Sequence, residues 1–303
     1  MPKNIVIGTA QFDQDYGISR RKKNNLKDLI KYLSHLKKKN YTLLDTAPSY
    51  GFAEYLIGEH NKTYKKKKFK IYSKIDRLPK IKDKKKLFEV LKYNLINSKK
   101  ILGGPIQILF IHNFSDFKKN NNFLIKSLKK INKNNIFKEI GVSIYHPYEA
   151  LYALRFKDIK HIQIPLNILD HRWSAKRFLE AIKKHKRVQF HARSVFLQGL
   201  LLNNNSWPAW YKDKKATIKL IEKLRKKFNF ENKIDLCLSY VQSFSWIKSI
   251  ILGFESANQL NYFDKYYRKK KGKNKFNKFR KNMIVQEIKK TIKNKRILLP
   301  YLW

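Results

Sequence analysis

A single (β/α)8 (TIM) barrel is the fold class this 303-residue sequence predicts. Three observations carry the prediction. Short apolar runs alternate with longer Lys-rich amphipathic stretches, the pattern that builds parallel strands joined by right-handed helical crossovers. The runs number eight, which points to a closed barrel rather than an open sheet, and the length is ample for the ~250 residues such a barrel needs. The chain is also 43% hydrophobic, with 20 Phe and 17 Tyr, enough material for a large core. Nothing between the runs reads as a linker, so residues 1–303 are expected to form one domain.

The expected strands are 5–10 (IVIGTA), 42–47 (TLLDTA), 70–75 (KIYSKI), 106–112 (IQILFIH), 139–145 (EIGVSIY), 161–167 (HIQIPLN), 187–194 (RVQFHARS) and 247–254 (IKSIILGF). Helical periodicity falls at roughly 24–39, 52–60, 84–100, 119–134, 147–156, 174–185 and, in two pieces, 213–245. Residues 264–297 are the most basic stretch. Within them 281–294 has the pattern of a terminal helix, and the remainder is expected to be a solvated surface segment.

The charge is extreme: 69 Lys+Arg against 22 Asp+Glu, a net of +47. One reading is a protein that binds nucleic acid or another anionic surface. The other is compositional drift. Lys, Asn, Ile, Phe and Tyr, all abundant, have A/T-rich codons, whereas the 10 Gly residues are about half the usual ~7% share. The lysines are spread over nearly every helix rather than gathered on one, and no helix-turn-helix, zinc-ligand or base-stacking motif accompanies them, so no specific nucleic-acid partner is expected. The lone cysteine, Cys237, excludes an intrachain disulfide. No segment approaches 18 uncharged apolar residues, so no membrane span is expected. The opening MPKNIVIGTAQF lacks a signal-peptide pattern, which makes a cytoplasmic location the expectation. The oligomeric state is not legible.

In a closed parallel barrel, chemistry sits at the carboxyl ends of the strands. The second run ends in Asp45, and its loop carries Tyr50. The third ends in Lys74 and the fourth in His112. Taken singly, Asp45 could cap a turn, Tyr50 and Lys74 could be two more of many, and His112 could be a core histidine. Together, on three successive strands, they would converge at the barrel mouth. The combination suits reduction of a carbonyl, where charge left on oxygen must be met by a proton. Tyr50 would be the acid–base, Lys74 would lower its pKa, Asp45 would orient Lys74, and His112 would orient the carbonyl. No metal-ligand pattern is present.

The same residues lie in motifs that resemble the aldo-keto reductases. DTAPSYGFAEYLIGE (45–59) resembles the family signature, and SKI (73–75) and FIHN (110–113) its lysine and histidine motifs. GTAQFDQDYGIS (8–19), GVSIY (141–145), QIPLN (163–167), SVFLQGLL (194–201) and ILGFESANQL (251–260) follow in family order, and the terminal LLPYLW resembles the end of some members. The resemblance implies a nicotinamide cofactor, NADP(H) or NAD(H), bound across the mouth without a Gly-rich loop, and a small carbonyl substrate. It implies that Ser143 and Gln163 hold the carboxamide and that Asp45 also meets the ribose. Arg193 and Ser194 after the seventh strand, and Gly253, Glu255, Ser256 and Gln259 after the eighth, complete the implied cofactor site.

Three departures from the family pattern stand out. Ile144 replaces an Asn that often follows the serine. Arg193 replaces an aromatic that stacks on the nicotinamide. Gly253, Glu255 and Gln259 stand where Lys or Arg commonly meets a 2′-phosphate, and an acidic residue suits a ribose hydroxyl better. The aromatics Phe12, Tyr16, Trp207 and Trp210 either line a substrate pocket or cover the barrel. Two other functions remain: a nicotinamide-binding barrel without catalysis, and the anionic-surface binder.

Overall fold

The computed structural model describes residues 4–12, 26–64, 68–205, 207–254, 256–269, 276 and 278–303. Eight parallel strands close into one barrel in sequence order, the single (β/α)8 barrel expected from the alternation. The strands are β1 (Asn4–Gly8), β2 (Leu43–Asp45), β3 (Lys70–Ile75), β4 (Ile106–Ile111), β5 (Phe137–Ser143), β6 (Ile159–Pro165), β7 (Gln189–Arg193) and β8 (Ile247–Gly253). The helices are α1 (Leu26–Lys38), α2 (Ala53–Thr63), α3 (Lys84–Leu102), α4 (Phe114–Ile131), α5 (Pro147–Ala153), α6 (Lys176–Lys184), α7 (Lys214–Lys227), α8 (Lys233–Gln242), α9 (Ala257–Lys269) and α10 (Lys278–Thr291). Closure is made by β1 against β8, with Asn4 opposite Ser249 and Gly8 opposite Gly253.

Two layers of apolar side chains hold the barrel. Outward-facing strand residues such as Ile7, Leu44, Leu109 and Ile162 pack under the amphipathic helices. Inside, Val6, Tyr72, Ile108, Phe110 and Ile251 fill the lumen. Gly141 makes room for this filling, because a Cβ there would sit 2.5 Å from the Phe110 ring.

Local chemistry sets the helix ends. Asp83 caps α3, its carboxylate accepting from the backbone N–H of Lys85 at 2.7 Å and of Lys86 at 3.4 Å. At the other end Gly103 takes the left-handed conformation, φ 71°, which costs glycine least. Asn113 caps α4 through Asp116 N–H at 3.2 Å. That cap starts the helix at Phe114, earlier than its apolar periodicity, and a kink at Asn120 (φ −128°) joins this opening segment to the rest.

The carboxyl-terminal third refines one expectation. Of the part of 264–297 expected to be solvated surface, 270–275 and 277 lie outside the described residues, and some of the rest is buried. Helix α9 runs into the stretch and buries Asp264, which accepts from the Tyr41 hydroxyl at 2.9 Å and pairs with Lys39 at 3.5 Å. Phe276, Ile284, Ile288, Ile292 and Ile297 are buried as well. The physical reason is spacing: Ile284 and Ile288 lie one turn apart on α10, which packs on α7. The terminal helix itself forms, beginning slightly earlier than its pattern.

Candidate active site at the carboxyl mouth of the barrel

The second strand is short, and its end delivers Asp45 inward, 5% exposed. The turn that follows is closed by Tyr50 N–H donating to Ala47 O at 3.0 Å, which swings Tyr50 back over the mouth. Lys74 rises from β3, whose Tyr72 stands in register with Asp45. Its ammonium donates to Asp45 Oδ2 at 2.7 Å and to Thr46 O at 2.8 Å, and lies 4.7 Å from the centre of the Tyr50 ring. His112 follows β4, anchored by its backbone N–H to Ile75 O at 3.0 Å. Its ring stands edge-on to Tyr50, centroids 6.3 Å apart at 82°. Asp45, Tyr50, Lys74 and His112 therefore form one contiguous cluster.

Asp45 is held from both sides. Its second oxygen accepts from Gln163 Nε2 at 2.7 Å, and Gln163 Oε1 in turn lies 3.5 Å from Ser143 Oγ. Ser143 and Gln163 face each other across β5 and β6, so a pair named from motifs on separate strands is a neighbouring pair in space. Arg193, at the end of β7, reaches over this floor. Its guanidinium donates to Ile144 O at 3.2 Å and to Ser194 Oγ at 3.4 Å, and it stacks 4.4 Å above the Tyr145 ring. Ser194 is held at φ 56°, a left-handed conformation that serine seldom adopts. Here it turns the chain sharply away from β7.

Of these, Asp45, Tyr50, His112, Tyr145, Gln163, Arg193 and Ser194 line a cavity of about 1090 Å³ that also touches Gly8, Gln11, Gly253, Asn258, Gln259 and Tyr262, while Lys74 and Ser143 are not among its lining residues. A Cβ at Gly253 would lie 2.0 Å from Gln11 Oε1, so glycine here lets the Gln11 amide rest against the strand end. Ser256 accepts from the backbone N–H of Gln259 at 3.2 Å, capping α9 so that its first turn meets the cavity. Glu255 lies outside the described residues, as does Tyr16. Phe12, Trp207 and Trp210 are not among the lining residues. Phe12 is buried against Tyr32 at 5.9 Å, Trp207 stacks on Tyr211, and Trp210 lies beneath the Arg296 guanidinium. They cover the barrel. The aromatics that do line the cavity include Tyr145 and Tyr301, in edge contact with centroids 4.4 Å apart. Tyr301 is brought there by the chain end, where Arg296 binds Leu302 O.

Electrostatics differ from expectation at one point. Burial raises the Tyr50 phenol above its ordinary value, and Lys74 and Arg193 lower it only in part. Burial also opposes the Lys74 ammonium, but Asp45 and Tyr50 outweigh it and hold Lys74 above the ordinary lysine value. His112 is pushed down, first by burial and then by Lys74 and Arg193, with Asp76 acting against them. Asp76 was not anticipated. It stands two residues after Lys74 at the end of β3, and that spacing, which places alternate residues on one face, was the signal available. Among the described residues no group of His, Cys, Asp and Glu is arranged to hold a metal ion.

A closed (β/α)8 barrel with its ionisable side chains gathered at the carboxyl mouth defines the class of barrel enzymes. Within that class the chain belongs to the aldo/keto reductase family, whose model matches residues 4–282. The family is one of oxidoreductases whose members generally bind NADP(H) and act on small carbonyl compounds. Among solved structures, the chain is similar to the aldo-keto reductase AKR11C1 from Bacillus halodurans in its holo form, with TM-score 0.71, 17% identity, and 96% of this chain and 93% of that one covered. It is also similar to the glycerol dehydrogenase AKR11B4 from Gluconobacter oxydans, with TM-score 0.71, 18% identity, and 97% and 93% covered. At this identity the likeness is one of fold. No curated protein sequence matches significantly.

Proposed function

We propose that the protein is an NAD(P)H-dependent reductase that converts a small aldehyde, ketone or keto-sugar to the alcohol, with Tyr50 as acid–base, in the cytoplasm and as one barrel domain. The observation that carries this reading is the contiguous set of Tyr50, Lys74, Asp45 and His112, of which Tyr50, Asp45 and His112 line one large cavity and Lys74 is buried beside them. The cavity also fits the cofactor. Its volume exceeds the range usual for a single small ligand. Its lining includes Gln163, which Ser143 contacts and which suits a carboxamide, and also Gly253, with Asn258 and Gln259 at the capped first turn of α9, whose backbone amides suit phosphate. Ser256, Ser194 and Arg193 would complete the contacts. When bound there, the nicotinamide supplies hydride to the carbonyl carbon.

The protein's own part is the proton and its placement. Burial keeps the Tyr50 phenol protonated, so the donor is loaded at neutral pH. As negative charge develops on the carbonyl oxygen, Tyr50 gives up its proton, and the Lys74 ammonium beside the ring stabilises the phenolate left behind. Asp45 balances that ammonium and fixes it through the 2.7 Å contact. His112 bounds the carbonyl oxygen on the other side.

The test is a screen of aldehydes, ketones and keto-sugars with both NADH and NADPH, followed by Tyr50→Phe on the best substrate. Turnover should fall by about a hundredfold or more, with cofactor affinity little changed. Lys74→Met should do comparable damage, and the two losses should not add, because both act through one proton transfer. Near-normal turnover in Tyr50→Phe, with chemistry rate-limiting, would overturn the assignment.

A further inference from the structure

One carboxylate at the mouth has no part in the scheme above. Asp76 and His112 each stand one residue beyond the paired ends of β3 and β4, where Ile75 faces Ile111. His112 Nδ1 lies 3.5 Å from Asp76 Oδ1, and the same oxygen accepts from Ser49 Oγ at 2.7 Å. Ser49 immediately precedes Tyr50, so the loop that delivers the phenol also fixes the carboxylate that faces the histidine. Both side chains are about one-third exposed, His112 34% and Asp76 35%, so the pair can exchange protons with solvent.

An imidazole has two nitrogens, and a carboxylate facing one of them keeps the proton there. With the proton on Nδ1, the neutral ring leaves a bare lone pair on Nε2, the nitrogen available to the cavity that His112 lines. A lone pair cannot donate to a carbonyl oxygen. Nε2 becomes a donor when the ring gains a second proton. The titratable and charged groups around the ring are Tyr50, Lys74, Arg193 and Asp76; of these four, Asp76 is the anion that can support such a cation.

We propose that Asp76, held by Ser49, is a positioning residue that fixes His112 with its Nδ1 proton on the carboxylate and Nε2 toward the substrate, so that His112 donates to a carbonyl oxygen only as the imidazolium. This rests on the reductase reading above. Carbonyl reduction then gains from protonation of His112 and loses rate as pH rises through its pKa. Oxidation of the alcohol runs the other way, since neutral Nε2 accepts the alcohol's hydrogen bond.

The experiment is 15N-histidine NMR of the full chain across pH, with the His112 signal assigned by its loss in His112→Gln. The wild-type ring should be the Nδ1–H form when neutral. In Asp76→Ala that preference should be lost, and the His112 pKa should fall by about one pH unit, the low end for removing an opposite charge at this range. The high-pH limb of the kcat profile for carbonyl reduction should move down by the same amount, with KM for the cofactor unchanged. Asp76→Glu should restore both. Ser49→Ala, an exposed change that spares the fold, should shift both in the same direction by less. An unchanged tautomer and pKa of His112 in Asp76→Ala and Ser49→Ala would overturn the proposal. Because the NMR reading needs no substrate, a ring that responds in a protein reducing no carbonyl would support the positioning role and count against the reductase reading alone.

Discussion

Two residues before Gln163 on β6, His161 belongs to a chain of four side chains, three of them buried and the fourth, Glu139, exposed at its end. His161 Nε2 meets Glu139 Oε2 at 2.8 Å, His161 Nδ1 meets His191 Nε2 at 2.9 Å, and His191 Nδ1 meets Ser249 Oγ at 2.6 Å. One assignment of protons satisfies every link: Ser249 donates to His191, His191 to His161, and His161 to Glu139. Both rings are then neutral, and an added proton would place a positive charge in a site largely withdrawn from water. Burial accordingly holds His161 below its ordinary pKa and His191 well below it. The sign for stability follows. A histidine whose folded pKa is depressed contributes its full stability above the unfolded value near 6.5, and loses it as pH falls below that value toward the folded pKa. Within that window each such ring should cost about 1 kcal/mol per pH unit. Urea unfolding from pH 7.5 to 5 should therefore show falling stability, and His191→Gln should flatten the slope by about that amount. Equal slopes in the two proteins would contradict it.

At the scale of elements, α2 packs closely on α3. Gly58 makes it possible: a Cβ there would lie 1.8 Å from the carbonyl oxygen of Ile101, backbone that cannot step aside. The same helix places Glu54 against Ser73 at 2.6 Å and Ser98 at 3.0 Å, so α2 locks both β3 and α3. Gly58→Ala should push the helices apart and destabilise the fold by about 2 kcal/mol, the mid-range for overpacking, with the helix-propensity gain of alanine working against it. A denaturant midpoint at or above wild type would show that α3 shifts freely. Here the motif was visible and its reason was not. Gly58 sits in the stretch 45–59 that marked the family resemblance, while the carbonyl it makes room for comes from a helix 43 positions on.

For the whole molecule, the net charge of +47 accompanies a barrel whose lysines lie on helix after helix, not along one groove. α3, α4, α6, α7 and α10 each end in two or more basic residues, where they complement the helix dipole. Such a surface attracts any polyanion without reading it. Binding to duplex DNA should be indifferent to sequence and should weaken at least about a hundredfold between about 50 and 200 mM salt, as measured by fluorescence anisotropy on two unrelated duplexes. Salt-resistant binding to one of them would instead indicate a dedicated interface. Among the described residues no helix is long and apolar enough to cross a membrane.

What the sequence determined by itself was whatever depends on local period and order. Eight apolar runs separated by amphipathic stretches leave few ways to bury both faces, and the closed barrel is one of them. Once the runs are strands, their ends are known, and Asp45, Tyr50, Lys74 and His112 follow as a group. The tertiary structure decided what depends on distant neighbours and on water. It paired Asp76 with His112 and Ser49, and it brought Tyr301 from the chain end to Tyr145 and Arg193. It consigned Phe12 and Trp207 to packing, and it drew part of the basic stretch after Asp264 into the core. It also reversed the expected direction for Tyr50, because the phenol loses more by leaving water than it gains from the Lys74 ammonium. Desolvation is a property of everything packed around a group, and no run of neighbouring residues encodes it.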